Sequence, residues 1–425
     1  MGFVCDMPGL MPIEQAKNII HHTIRVVTKT QSCALFDALG RVLAEDVLSS
    51  IDVPSYDNSA MDGYACRYDD LGKFCSLTQV GKSLAGNPYQ GTVKKGAVGK
   101  SALGKGECIR IMTGALIPDG ADTVVMQENT ESDGDQIIIS AEVIAHIERG
   151  DAIRLAGSDI NKNSLVLAKG KRLTAIDIGL LASLGIDEVR VYRKVKVAVF
   201  STGDELLAAG ETDKKNRIFD SNRPMLLAML HRLDVETIDL GIINDDKKRI
   251  QKTFELADSQ ADCVITSGGV SVGEADYTRE VLEEIGTINF WKLAIKPGKP
   301  LAFGCLNSSL FFGLPGNPVS AAITFEQIAA PSLLLMAGCT AIEKSSLVAI
   351  AKHPFKKKSG RTDFQRAWFS TDESGKLWVE PSGPQSSGVL SSFVQSNCYA
   401  VLEKQRVDVE VGEQVSIQLF GDLID

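Results

Sequence analysis

The chain is short of several things at once. Aromatic residues make up only 6% of its 425 positions, and its nine cysteines contain no C-x-x-C pair. Scattered cysteines of this kind form neither a zinc ribbon nor the dense disulfide framework of a small secreted domain, so a reduced, cytoplasmic setting is expected. No apolar run approaches the ~20 residues that a bilayer-spanning helix needs. The opening Met1-Gly2-Phe3-Val4-Cys5-Asp6 has no basic stretch followed by an apolar one, so no secretory signal is expected either. A basic surplus is also missing: 45 Lys and Arg against 54 Asp and Glu leave a formal charge of -9. That balance argues against nucleic acid or an anionic membrane as the main partner, while leaving room for a local basic pocket. Neither a G-x-G-x-x-G fingerprint nor an H-E-x-x-H zinc motif occurs, which weighs against dinucleotide and zinc-protease chemistry. Gly99-Lys100-Ser101 looks like the end of a phosphate loop, but Lys94 stands where its first glycine belongs. Internal repeats and low-complexity tracts are absent too.

What is present is ordinary globular composition in a chain too long for one core, since single cores stop growing near about 250–300 residues. Apolar residues at helical spacing predict a helix over Ile13–Val27, and a second short one over Leu35–Ala44. His21 and His22 point about 100° apart on the first helix and cannot share one metal. Short apolar stretches between glycine-rich turns, such as Thr123–Met126, predict an all-β insertion, and Thr174–Leu184 returns to helical spacing. From Val195 strands and helices alternate, which predicts a parallel sheet covered on both faces. Past Gly338 short strands separated by Pro, Gly and Ser predict a small β-barrel. The fold class is therefore multidomain α/β plus β: an elongated N-terminal domain (residues 1–46 and 146–192), an inserted mainly β domain (47–145), a central doubly wound α/β domain (193–338) and a C-terminal β-barrel domain (339–425).

Several segments carry candidate chemistry. Val53–Ala65 is a loop dense in short polar residues, which bond their own backbone in turns. Ser201-Thr202-Gly203-Asp204-Glu205 and Thr266-Ser267-Gly268-Gly269 each follow a buried strand, so their glycines allow backbone N–H groups to approach a phosphate at a helix N-terminus. With Asp245-Asp246 after a third strand, they suggest one crevice in which Glu205, Asp245 and Asp276 gather. Carboxylates beside a phosphate site repel the substrate unless a hard cation lies between, so Mg²⁺ held by these three acids belongs to the reading. Lys296-Pro297-Gly298-Lys299-Pro300 and Gly313-Leu314-Pro315-Gly316-Asn317-Pro318 are proline-stiffened turns suited to presenting cations and backbone donors without reorganising. Arg361–Arg366 and the serine-rich stretch from Ser382 to Gly388 offer an arginine fork and hydroxyls for an oxyanion.

Taken in order, the Asp62 loop, Met112-Thr113-Gly114, Ser201–Leu206, Ser267–Thr278, Lys296–Pro300, Gly313–Pro318 and the C-terminal serines resemble the MoeA family of molybdenum insertases, and within it the gephyrin E-domain, along nearly the whole chain. The resemblance implies insertion of molybdate into the dithiolene of adenylylated molybdopterin with release of AMP. It places Asp62, Thr113, Glu205, Asp245 and Asp276 in the catalytic site. Ser267, Gly268, Gly269, Lys296, Lys299, Pro315, Pro318, Arg366 and Ser387 fall at substrate-binding positions, with Ser386 as the alternative serine. It further implies a homodimer, a separate molybdopterin adenylyltransferase as transient partner and supplier, and molybdoenzyme chaperones downstream. A pterin adenylyltransferase-like enzyme, a nucleotide-amide hydrolase, or a non-catalytic molybdopterin carrier or scaffold are the alternatives. The long N-terminal part and the C-terminal barrel argue against the first two.

Overall fold

The computed structural model describes residues 9–74, 76–90, 103–212, 216–269, 277–340, 345–421 and 423–424. Asp276, Ser271–Gly273 and Lys94–Ser101 lie outside them. The chain packs as two compact units: Met1–Glu45 with Lys169–Ile178 and Asp187–Asp425, and Asp46–Ala168 with Gly179–Ile186.

The first unit holds the α/β domain. Its six-stranded sheet runs in the order Glu236–Ile243, Lys196–Thr202, Cys263–Ser267, Leu310–Leu314, Pro300–Cys305, Thr287–Lys292. The first four strands are parallel, as continuous apolar runs such as Val197–Phe200 require of strands buried on both faces. The last two join antiparallel, so the sheet is mixed rather than wholly parallel. The Asn307-Ser308 turn explains this, since Pro300–Cys305 and Leu310–Leu314 are too close in sequence for a crossover helix.

Successive side chains on a strand face opposite ways. Val197, Val199, Cys263 and Ile265 accordingly pack on helices Asn222–Arg232 and Pro318–Thr324, while Ala198, Phe200 and Val264 pack on Lys247–Gln260 and Tyr277–Ile285. Each of the valine, isoleucine and phenylalanine side chains taken out of water contributes about 1.5–3 kcal/mol. Helical conformation continues from Pro318 to Met336 through a π-turn at Phe325–Ala329. Those 19 residues match a membrane span in length and hydropathy, contrary to the reading of the apolar runs, but 83% of the most apolar window is buried inside the protein. The core accounts for its composition.

Beyond it, strands Thr362–Thr371, Leu377–Pro381, Leu347–Ala351, Gln414–Leu419 and Cys398–Leu402 pair in a ring that closes when the last pairs with the first. This is the expected barrel, and Ile295–Lys296 adds to its edge with Lys296 opposite Asp363.

The N-terminal helix ends at Thr23, where Ile24 turns extended, and does not reach Val27. Leu35–Ala44 is not a helix: one 3₁₀ turn covers Leu35–Ala38, and Gly40 at φ 78° ends it. In the second unit six short strands form a sheet in the order Thr123–Met126, Gly63–Cys66, Glu107–Ile111, Leu77–Ser83, Gln136–Ile138, Glu131–Asp133.

Candidate active site

Three parallel strands of the first unit end side by side at Thr202, Ser267 and Leu314. Ligands bind at the carboxyl ends of such strands. Here the side chains are polar and buried, and several lack partners among the described residues: the hydroxyls of Ser201, Thr202, Thr266 and Thr278 and Oδ1 of Asn222. An unpaired buried hydroxyl costs about 1–3 kcal/mol, so this many at one spot mark a place where something else supplies the partners.

Asn222, at the start of its helix, donates from Nδ2 to Ser267 Oγ at 2.7 Å and to the Gly316 carbonyl at 2.8 Å. It thereby ties the Ser267 turn to the Pro315–Pro318 turn. Gly269 has φ 65°, and a Cβ there would sit 2.2 Å from Thr278 Oγ1 and 2.7 Å from Thr202 Oγ1. Only glycine fits between those hydroxyls.

On the neighbouring strand end, Asp204 Oδ1 accepts from Asn244 Nδ2 at 3.0 Å and from the Asp245 amide at 3.2 Å. Partial burial, and then the charges of Asp204 and Glu205, push the Asp245 carboxyl above its ordinary value. Three carboxylates that repel one another this way suit a hard cation shared with phosphate oxygens. Among the described residues, however, no three acidic, histidine or cysteine side chains converge as a ready metal cage. Asp246 is drawn away from the group, capping the next helix through the Arg249 amide.

A second cluster forms where the barrel meets the proline turns within the same unit. Val319 N donates to the Ser387 carbonyl at 3.1 Å, which puts the serine segment against the helix that begins at Pro318. Gly298 approaches that helix so closely that a Cβ would lie 2.5 Å from Thr324 Cγ2. Lys296 Nζ reaches the buried carboxylate of Asp363 at 3.0 Å, and Lys299 is exposed. Arg366, in contrast, is fully buried. Its guanidinium donates to Ser392 Oγ at 3.0 Å and to the carbonyls of Pro384 at 2.9 Å and Ser386 at 3.1 Å. Arg366 therefore shapes the serine segment from inside.

The second unit carries Asp62. Thr113 donates to Asp62 Oδ1 from both its amide and its Oγ1, each at 2.8 Å, and these bonds hold the carboxyl below its ordinary value. Asp62 is thus presented as a carboxylate, with its other oxygen unengaged among the described residues.

The site residues read from the sequence thus fall in three groups. Asp62 and Thr113 pair; Glu205, Asp245 and Ser267–Gly269 line adjoining strand ends; Lys296, Lys299, Pro315, Pro318, Arg366 and Ser387 lie around the proline turns. Ser201, Thr202 and Thr278 lay within the segments read from the sequence without a role of their own, and Asn222 was missed. The one signal for Asn222 was Asp220-Ser221-Asn222 opening an apolar helix, which looks like an ordinary cap.

A doubly wound domain whose strand ends gather glycine turns, unpaired hydroxyls and carboxylates is the build of a phosphate-handling α/β enzyme. Residues 11–185 match the MoeA N-terminal region (domain I and II), residues 198–334 a probable molybdopterin binding domain, and residues 348–420 the MoeA C-terminal region (domain IV). The chain belongs to the MoeA family, transferases of molybdenum cofactor biosynthesis. It is 45% identical to the molybdopterin molybdenumtransferase of Haemophilus influenzae, over 98% of this chain and 100% of that one. It is 33% identical to gephyrin of Dictyostelium discoideum, over 98% of this chain and 63% of that one. A crystal structure of the molybdopterin biosynthesis MoeA protein from Pyrococcus horikoshii OT3 superposes with a TM-score of 0.79 at 29% identity, over 97% of this chain and 100% of that one.

Proposed function

We propose that the chain transfers molybdenum from molybdate to the dithiolene of adenylylated molybdopterin and releases AMP. The observation that carries the reading is the set of buried hydroxyls at Ser201, Thr202, Thr266 and Thr278 that have no partner among the described residues. Thr202 and Thr278 present theirs beside Gly269 in the Ser267–Gly269 turn, where a phosphoanhydride would supply the missing acceptors.

Ser267, Gly268 and Gly269 bind the phosphates, and Asn222 fixes that turn against Pro315–Pro318. Glu205 and Asp245, with Asp276, would hold Mg²⁺, which neutralises phosphate charge when bound. Without it these acids would repel the substrate. Lys296 and Lys299 neutralise molybdate, Ser387 offers it a hydroxyl, and Arg366 fixes the serine segment. Asp62, kept ionised by Thr113, acts as a carboxylate on the reacting group. Proximity of molybdate to the dithiolene, together with charge neutralisation, lowers the barrier. The working unit is a cytoplasmic homodimer that receives its substrate from a separate molybdopterin adenylyltransferase and passes its product to molybdoenzyme chaperones.

The test is AMP release from adenylylated molybdopterin by the purified chain, with and without molybdate and Mg²⁺. Release that needs both, and is lost in Asp62→Ala, is expected. Tight pterin binding with no release under any condition would instead make the chain a carrier.

A further inference from the structure

In the second unit, Asp62 stands immediately before strand Gly63–Cys66, which pairs on one side with Glu107–Ile111 and on the other with Thr123–Met126. Each neighbour leads to a residue that holds Asp62. Thr113 follows the first and binds the carboxylate, and Gln127 follows the second and donates its amide to the Asp62 carbonyl at 3.0 Å. Arg110, opposite Tyr64 in the register, joins the two sides. Its Nη1 donates to the Gly63 carbonyl at 3.0 Å, and its Nη2 donates to Oε1 of Gln127. The guanidinium lies over the Tyr64 ring, 5.0 Å from the centroid, and that stacking fixes the plane of the fork. One side chain therefore holds the residue after Asp62 and also the residue whose amide holds Asp62. Both acceptors are neutral, and among the described residues no acid pairs with Arg110, so its charge is not cancelled locally. After the two Thr113 bonds, that charge also keeps the Asp62 carboxyl low.

We propose that Arg110 is a positioning residue for the transfer reaction, setting the direction of the Asp62 carboxylate without touching substrate. The inference rests on the reading of Asp62 as the carboxylate that acts on the reacting group. Thr113 fixes one carboxylate oxygen, and Arg110 fixes the backbone from which the carboxylate projects. A misplacement of about 1 Å at a reacting group costs on the order of 100-fold in rate, so even a small drift of the Asp62–Gly63 backbone is felt. Lys82 supplies an internal control. It lies opposite Arg110 on strand Leu77–Ser83 and so shares its face of the sheet, yet among the described residues it makes none of these bonds.

Steady-state AMP release by the full chain, with molybdate and adenylylated molybdopterin varied separately, tests this alongside hydrogen exchange. Arg110→Gln should lower kcat about tenfold and leave both KM values within about twofold of wild type. Guanidinium ion at millimolar concentration should restore part of the rate to Arg110→Ala, because the cation refills the gap between Gly63 and Gln127. Lys82→Gln should release AMP at the wild-type rate. In Arg110→Gln the Gln127 amide should exchange roughly tenfold faster, while amides of strand Lys196–Thr202 keep their wild-type rates. A wild-type kcat in Arg110→Gln, a loss confined to either KM, an equal loss in Lys82→Gln, or unchanged exchange at Gln127 would each overturn the proposal. Should Arg110→Gln fail to fold, Gln127→Ala removes only the acceptor of Nη2 and should lower kcat about threefold, and a wild-type kcat there would overturn the proposal as well. Failure of the wild-type chain to release AMP in response to molybdate would instead count against the proposed reaction, and exchange at Gln127 would still decide whether Arg110 holds the Asp62 backbone.

Discussion

Asp62 and Thr113 stand 51 positions apart, yet both donors of the threonine meet one carboxylate oxygen. Thr113→Ala keeps the amide bond and removes the hydroxyl bond, so the AMP release rate should fall about tenfold with no change in thermal stability, while Thr113→Ser retains it. A stopped assay at saturating substrates reads this directly. Arg366→Ala should behave differently. It strips a buried side chain from Ser392 and two carbonyls, and should lower unfolding free energy by about 3 kcal/mol in a denaturant titration. A loss of activity in that variant with stability intact would show that Arg366 touches substrate after all. At this scale the sequence was informative only where motifs were distinctive. Asp62, Thr113 and Glu205 came from the pattern of separated motifs. Thr202 and Thr278 sat inside those motifs without a role, and Asn222 fell outside them, because nothing local in a sequence shows that a polar side chain lacks partners.

Among elements, the parallel strands are anchored at their starts as well as their ends. Asp262, just before its strand, accepts from both Arg193 guanidinium nitrogens at 2.7 Å and from the Lys196 amide at 2.8 Å. Burial works against the Asp262 charge, but the Arg193 fork and the amide outweigh it and hold the carboxyl below its ordinary value of 3.8. A depressed folded-state value contributes stability that is full above the ordinary carboxylate range and is lost as pH falls through the lowered value. Asp262→Asn should therefore cost about 1–3 kcal/mol at neutral pH, and the gap to wild type should close as the medium is acidified below that range. Urea titrations at several pH values check this, and a constant gap would contradict it. Strands and helices of the α/β domain were legible because period-2 and 3.6-residue patterns are strong in buried elements. The 3₁₀ turn at Leu35–Ala38 and the two antiparallel strands were not. Apolar spacing cannot tell a short turn from a helix, and sheet direction depends on connection length as well as pattern.

At the level of the whole molecule, the barrel and the α/β domain share one unit, and the Lys296 strand that leaves the sheet is itself a barrel-edge strand. The barrel and the doubly wound sheet were foreseeable from strand spacing. The burial of Lys357 was not, since Lys356-Lys357-Lys358 reads as a solvated charge run. The central claim is that molybdenum transfer and AMP release are one event. The most direct measurement is a single turnover with enzyme in excess over adenylylated molybdopterin, following AMP and pterin-bound molybdenum together. The account predicts one molybdenum gained per AMP released, with both lost in Asp62→Ala. AMP released without molybdenum gained, or at the same rate when molybdate is omitted, would contradict it.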